Sequence, residues 1–309
     1  MSAQGPISSA MADSLRSAVA ATYRTASGAE LLTLPVSLAV QGIKNAAPAR
    51  TTVAEDAFDT KVLFDYWRAQ PPSDALSDAQ LILKCVSLLL ADTAGRPGDM
   101  ACLDRRKTVF RGGEGWEDAD EVSISFWHPK EFWYGDSHRV GDHSLPVPIK
   151  RIRTSGRDAV LGAAKIDTFE AMAVLERRCA AMQPQPLYKL EPGAAKGEGG
   201  APAAFPMLKA MSTGHVPSRY SIGRDRVGSI MRKLWKDLGQ ESRAYILRGS
   251  VESIWFEAGV PVGKIVQRSR HKEATFHVHY QRRVPERMME AIGALRGGAA
   301  PSMEEIIRL

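Results

Sequence analysis

"YILRGSVESIWFEAGVPVGKIVQRSRHKEATFHVHY", residues 245–280, decides how the rest of the chain is read. It divides at Gly259 and again after Ser269 into pieces that form a helical series. Arg248 stands near the start of the first helix, and His271, His277, His279 and Tyr280 crowd the last piece. Clustered histidines raise the question of a metal. His277 and His279 are only two apart, and no carboxylate or cysteine stands at ligand spacing, so no metal site is expected. The stretch is better read as built around the hydroxyl of Tyr280, with His271 nine residues before it, and its meaning depends on what lies upstream.

With 309 residues, 44% hydrophobic and 25% charged, the chain has room for one large domain or two modest ones of ordinary globular type. Its longest apolar run, 81–91, is interrupted by Lys84, so no membrane span is expected. The first residues lack the basic-then-apolar order of a secretory signal, which points to an intracellular protein. Cys85, Cys102 and Cys179 are scattered and read as reduced core residues. The net charge of +6 is mild, but residues 219–248 hold eight Lys or Arg against three acids. Arg219, Arg224, Arg226, Arg232, Lys233 and Lys236 are therefore candidates for a basic surface.

The chain outside the decisive stretch is read as follows. Residues 1–50 hold short helical patterns, and "TTVAEDA" after Pro48 reads as a linker. "FDTKVLFDYWRAQ" has helical periodicity, and Ser77 is placed to cap an apolar helix over 78–92. "KTVFRGG", "EVSISFW" and "HSLPVPI" are short alternating runs between Gly, Pro and Asp, which predicts a small antiparallel sheet. Residues 183–206, rich in Pro, Gly and Ala, read as an exposed loop, and "SRYSIGRDRVGSIMRKLWKDLG" reads as helical. The predicted class is mainly α with a small antiparallel sheet (α+β). Residues 286–309 form a helix, a Gly/Ala hinge and an amphipathic tail.

Three separated pieces line up: "LLLADTAGRPGDMACL" with Arg96 in a turn and Asp99 three residues on, "YILR" with Arg248, and "RHKEATFHVHY" with His271 and Tyr280. Over roughly 50–285 this order and spacing resembles the catalytic domain of tyrosine recombinases, the phage integrase family. "LPVSLAVQGIKNAAPAR" and "GVPVGKIVQRSRHKEATFHVHY" are similar to the eukaryotic, retrotransposon-type (DIRS-like) members. The resemblance implies a tyrosine-recombinase catalytic domain over 51–285, preceded by a partial helical core-DNA-binding region over 1–50. It implies DNA cleavage and rejoining through a covalent 3′-phosphotyrosyl link, without metal, ATP or other cofactor, as in DNA integration by a transposable element. It further implies a homo-tetramer on double-stranded DNA that exchanges the 301–309 segment between subunits. Nucleus, or cytoplasm and nucleoid, would follow from the host.

The residue types suit that chemistry. A five-coordinate phosphorus needs positive charge on its non-bridging oxygens, and a guanidinium supplies paired donors and a permanent charge. Arg96 and Arg248 take that role by resemblance, Tyr280 attacks, Lys130 protonates the leaving oxygen (Lys150 in reserve), and His271 hydrogen-bonds the phosphate or assists proton transfer. Asp99 braces the Arg96 turn. Tyr245 stands where the family has a histidine; a phenol, with a pKa of about 10, is a poor base near neutrality. Two alternatives stay open: a degenerate relative that binds DNA without cutting it, and a monomeric type IB topoisomerase-like enzyme.

Overall fold

The computed structural model describes residues 58–126, 145–152, 163–179, 187–188, 202–204, 208–211, 217–240, 246–270, 284–295 and 302–308, with Val19, Thr22 and Ala26. The chain divides into two compact units, Met1–Ala54 and Glu55–Leu309. Val19, Thr22 and Ala26, in the first, are helical and exposed. All elements named below belong to the second.

Helix α1 (Thr60–Ala69) starts at Asp59, whose carboxylate accepts the Lys61 amide at 2.9 Å. Leu63, Phe64 and Trp67 share one face and are buried. The Trp67 indole N–H donates to Ser87 Oγ at 2.9 Å, which lets the ring go inside without an orphaned donor. Ser87 belongs to α2 (Asp78–Thr93), which opens with a reciprocal cap between Ser77 and Gln80. Leu81, Cys85, Val86, Leu88 and Leu89 are fully buried, so α2 is apolar around most of its circumference and forms the centre of the core. Each such leucine contributes about 1.5–3 kcal/mol. Lys84, also inside, donates to Ser73 Oγ at 2.5 Å and lies 3.3 Å from Glu170.

After the one-turn helix α3 (Pro97–Met100) come β1 (Val109–Arg111), β2 (Glu121–Ile124) and β3 (Val147–Lys150). They form an antiparallel sheet in that order, with Phe110 opposite Val122 and Val122 opposite Ile149. In β3, Val147 and Ile149 are buried and alternate with exposed Pro148 and Lys150. Helix α4 (Thr168–Cys179) then packs along α2.

Two short ribbons follow: β4 (Leu187–Tyr188) with β5 (Pro202–Ala204), and β6 (Lys209–Met211) with β7 (Pro217–Ser221). Both correct the sequence reading. The ends of the supposed 183–206 loop pair with each other, and "SRYS" is strand, the helix starting only after Gly223. Short strands of this kind are fixed by a partner elsewhere in the chain, which a local pattern does not contain.

Helices α5 (Arg224–Asp237), α6 (Ile246–Glu257), α7 (Val262–Ser269), α8 (Glu286–Leu295) and α9 (Met303–Ile306) complete the unit. Every residue of α6 from Ile246 to Trp255 is buried, making it a second central helix. The second unit is mainly α with a small antiparallel sheet, an α+β class. Among the described residues, no helix is long and apolar enough to cross a membrane.

The C-terminal segment, 302–308, packs against the second unit of the same chain. The Trp255 indole donates to Met303 O at 2.7 Å, and Arg268 pairs with Glu304. Arg308 pairs with Asp92 at 2.6 Å, and Thr60 Oγ1 donates to Ile307 O at 2.9 Å. The reason is chemical: Ile306 and Ile307 find an apolar seat, Glu304 finds Arg268, and Arg308 finds Asp92 within the same unit.

Candidate active site

The Arg96 turn is built by three backbone choices. Ala94 ends α2 in the left-handed region at φ 45°. Gly95 follows, and a Cβ there would meet Thr93 Oγ1 at 2.7 Å and Met100 Cε at 2.6 Å, so the turn closes tightly only without a side chain. Arg96 is then the extended N-cap of α3, with Pro97 fixing the first helical φ. Its side chain keeps 27% exposure. Asp99, one turn along α3, is buried, with its Oδ2 3.7 Å from Arg96 Nη1.

The same Asp99 oxygen accepts a shorter bond, 2.6 Å, from Arg270 Nη2. Arg270 is the residue after α7, and its own N–H caps that helix on Val266 O. It adopts φ 61°, a left-handed conformation costing a non-glycine residue roughly 1–2 kcal/mol. Its guanidinium is buried and stacks 4.0 Å from the Phe126 ring centre, beyond the end of β2. Among the described residues, the Nε and Nη1 atoms of Arg270 have no hydrogen-bond partner.

Arg248 joins from the other side. It lies on α6, is 1% exposed at its side chain, and has Nε 3.3 Å from Glu252 Oε1 one turn on. Its Nη2 donates to Ser269 O at 2.5 Å, the carbonyl directly before Arg270. The Arg96 turn and the Arg248 helix, 152 residues apart in the chain, are thus joined through Asp99, Arg270 and Ser269. Three guanidiniums meet two carboxylates here, a concentration of positive charge suited to an anion.

The other expected residues distribute as follows. Lys130, Tyr245, His271 and Tyr280 lie outside the described residues, as do His277 and His279. Lys150, the reserve proton donor, ends β3, and its backbone N–H donates to Glu304 Oε1 at 2.9 Å. Together with Arg151, Lys264 and Arg268 it lines a cavity of about 860 Å³ beside the C-terminal helix, and Arg96, Asp99 and Arg248 do not line that cavity. Arg219 falls in β7, its side chain outside the described residues.

On α5, Arg226, Arg232, Lys233 and Lys236 are exposed while Val227, Met231, Leu234 and Trp235 are buried, so the cations form a solvent face. Arg224 differs. It is half-buried and donates from Nη2 and Nε to Cys102 Sγ at 2.9 and 3.3 Å, fixing the start of α5 beside α3. Burial still pushes the Cys102 thiol up, with Arg224 opposing it. Among the described residues, no three His, Cys, Asp or Glu side chains are grouped to hold a metal.

Arg270, Glu252 and Ser269 were not legible as site residues. The one available signal was the basic spacing of Arg268 and Arg270 at a helix C-terminus, which usually means no more than dipole compensation.

No family model and no curated protein matches this chain. Among solved structures it is similar to the crystal structure of XerA recombinase, with 11% identity and a TM-score of 0.45 over 96% of this chain and 86% of that one. A likeness at that level assigns no residue of this chain a role.

Proposed function

We propose that the chain is a DNA strand-transferring tyrosine recombinase, with the linked Arg96 and Arg248 as its phosphate clamp and Tyr280 as nucleophile. The observation that carries this reading is the joining of two motif arginines through Asp99, Arg270 and Ser269, at the point where the chain leads into His271. Tyr280 Oη would attack phosphorus, forming the phosphotyrosyl bond while the P–O bond to the leaving 5′-oxygen breaks. That oxygen takes its proton from Lys130, with His271 assisting, and the two arginines balance the charge that grows on the phosphoryl oxygens. The exposed cations of α5 would hold duplex phosphates, giving a salt-sensitive affinity. Integration of a mobile element, and a tetramer in which the 301–309 segment packs on a neighbouring subunit, complete the reading.

The test is an SDS-resistant protein–DNA adduct on a nicked duplex carrying a candidate element end. Wild type is expected to form it and Tyr280→Phe to lose it; a wild type that binds this DNA without any adduct would overturn the reading. One observation favours a non-cleaving DNA-binding relative: Arg248 is buried against Glu252 and the Ser269 carbonyl, partners that compete with a phosphate for its donors.

A further inference from the structure

We infer that Glu252 is a built-in counter-ion of Arg248, a carboxylate that competes with phosphate for this guanidinium and so limits how tightly the clamp holds an anion. This rests on the reading of Arg248 as a phosphate ligand. Both residues lie on α6, one turn apart, with Arg248 Nε 3.3 Å from Glu252 Oε1. Their side chains are 1% and 0% exposed, on a helix where Val251, Ile254 and Trp255 are fully buried as well.

A carboxylate at this depth is not explained by stability. Apolar residues of similar volume serve a fold as well as a buried ion pair, or better. What Glu252 supplies is charge balance, because removing one member of such a pair leaves the other charge inside at a heavy cost. The glutamate therefore lets the fold keep a guanidinium here before any phosphate arrives.

The contact is also loose, since 3.3 Å exceeds the roughly 2.7–2.9 Å of a charge-assisted hydrogen bond. A shorter bond, at 2.5 Å, runs from Arg248 to the neutral Ser269 carbonyl. Orientation of the guanidinium thus comes from a neutral acceptor, and a separate, weakly bonded anion offsets its charge. A phosphate on the same guanidinium would face the Glu252 charge across a poorly screened interior, and two anions there repel.

Glu252→Gln removes the charge and keeps the shape. Unfolding of the full-length protein without DNA is followed by calorimetry in sodium chloride and in inorganic phosphate of equal ionic strength. Wild type is expected to respond little. Glu252→Gln is expected to melt lower than wild type in chloride and to regain most of that loss in phosphate, a gain that a merely structural glutamate would not give. Arg248→Gln/Glu252→Gln is expected to lose this response. An equal phosphate response in wild type and Glu252→Gln, or its persistence in the double variant, overturns the inference. A Glu252→Gln protein that folds only in phosphate meets the expectation; one that folds in neither salt overturns it.

Binding of an intact duplex, read by fluorescence anisotropy at fixed salt, is expected to tighten on the order of tenfold in Glu252→Gln, as removing one like charge from a partly screened site implies. Unchanged or weaker binding by the folded variant overturns the inference. The nicked-duplex adduct decides the recombinase reading separately. A wild type without adduct removes that reading, while the phosphate response still decides what Glu252 does to Arg248.

Discussion

Asp167 shows how burial alone can set a single group. It precedes α4, and its Oδ1 accepts the Phe169 amide at 3.1 Å. Burial pushes its carboxyl up to about 6, outweighing that hydrogen bond and the attraction of Arg308. The folded protein therefore binds this proton more tightly than the unfolded chain, whose value is near 3.8. Linkage then gives a stabilising contribution that is fully present below about pH 4 and fades as pH rises through about 6. Replacing the carboxylate by an amide keeps the cap and removes the penalty. Asp167→Asn should be more stable than wild type at pH 7.5 by up to about 2–3 kcal/mol, with the difference vanishing by pH 4. Chemical denaturation at both pH values decides it; equal gains at both would show that the charge is irrelevant.

At the scale of elements, α2 and α4 are joined by an ion pair with unequal ends. Lys84 is 1% exposed and Glu170 31% exposed. Deleting the buried end removes a costly charge and leaves a carboxylate that water can reach, so Lys84→Met should change stability by less than about 1 kcal/mol. Deleting the exposed end strands a buried ammonium with Ser73 as its remaining partner, and Glu170→Ala should cost about 3 kcal/mol. Urea midpoints would show the asymmetry, and the reverse order would mean that the lysine carries the packing. The elements themselves were largely readable from the chain. The cap at Ser77, the periodicity of α1 and the three alternating runs of the sheet are all local signals, and each element stands where its pattern lies. The misread segments, 187–188 with 202–204 and 217–221, are those whose conformation is decided by a distant partner. The site divides in the same way. Arg96, Asp99 and Arg248 were visible as motif residues. The bond between Asp99 and Arg270, 171 residues apart, leaves no trace in the sequence, because nothing local states which of two arginines a buried carboxylate will take.

For the molecule as a whole, the C-terminal segment ties separate parts together. Arg308 donates to Asp92 on α2, to Thr168 Oγ1 at the start of α4, and to Ile166 O. Glu304 meets Arg268 of α7 and the β3 amide of Lys150. Arg308→Ala would leave Asp92, fully buried, without its guanidinium, at a cost of about 3–5 kcal/mol. In a unit of this size that is a fall in melting temperature of roughly 10 °C, measurable by calorimetry. A shift below about 2 °C would mean that the segment is only loosely seated in solution.

The meeting of Thr60 with Ile307, and of Arg68 with the Arg308 carbonyl at 3.1 Å, brings the first described helix of the second unit against its last described residues. Seen as a path through space, it is nearly a closed ring, and the position of its two ends is a matter of gene order more than of architecture. A rearranged gene could open the ring at the exposed turn of Gly239, where φ is 72° and, among the described residues, nothing lies within 4 Å of where a Cβ would stand. A short flexible bridge from 309 back to 55 would close it again. Such a circular permutant should fold with the same near-ultraviolet dichroism as the natural order, and failure to do so would show that the order of synthesis matters to how this ring is closed.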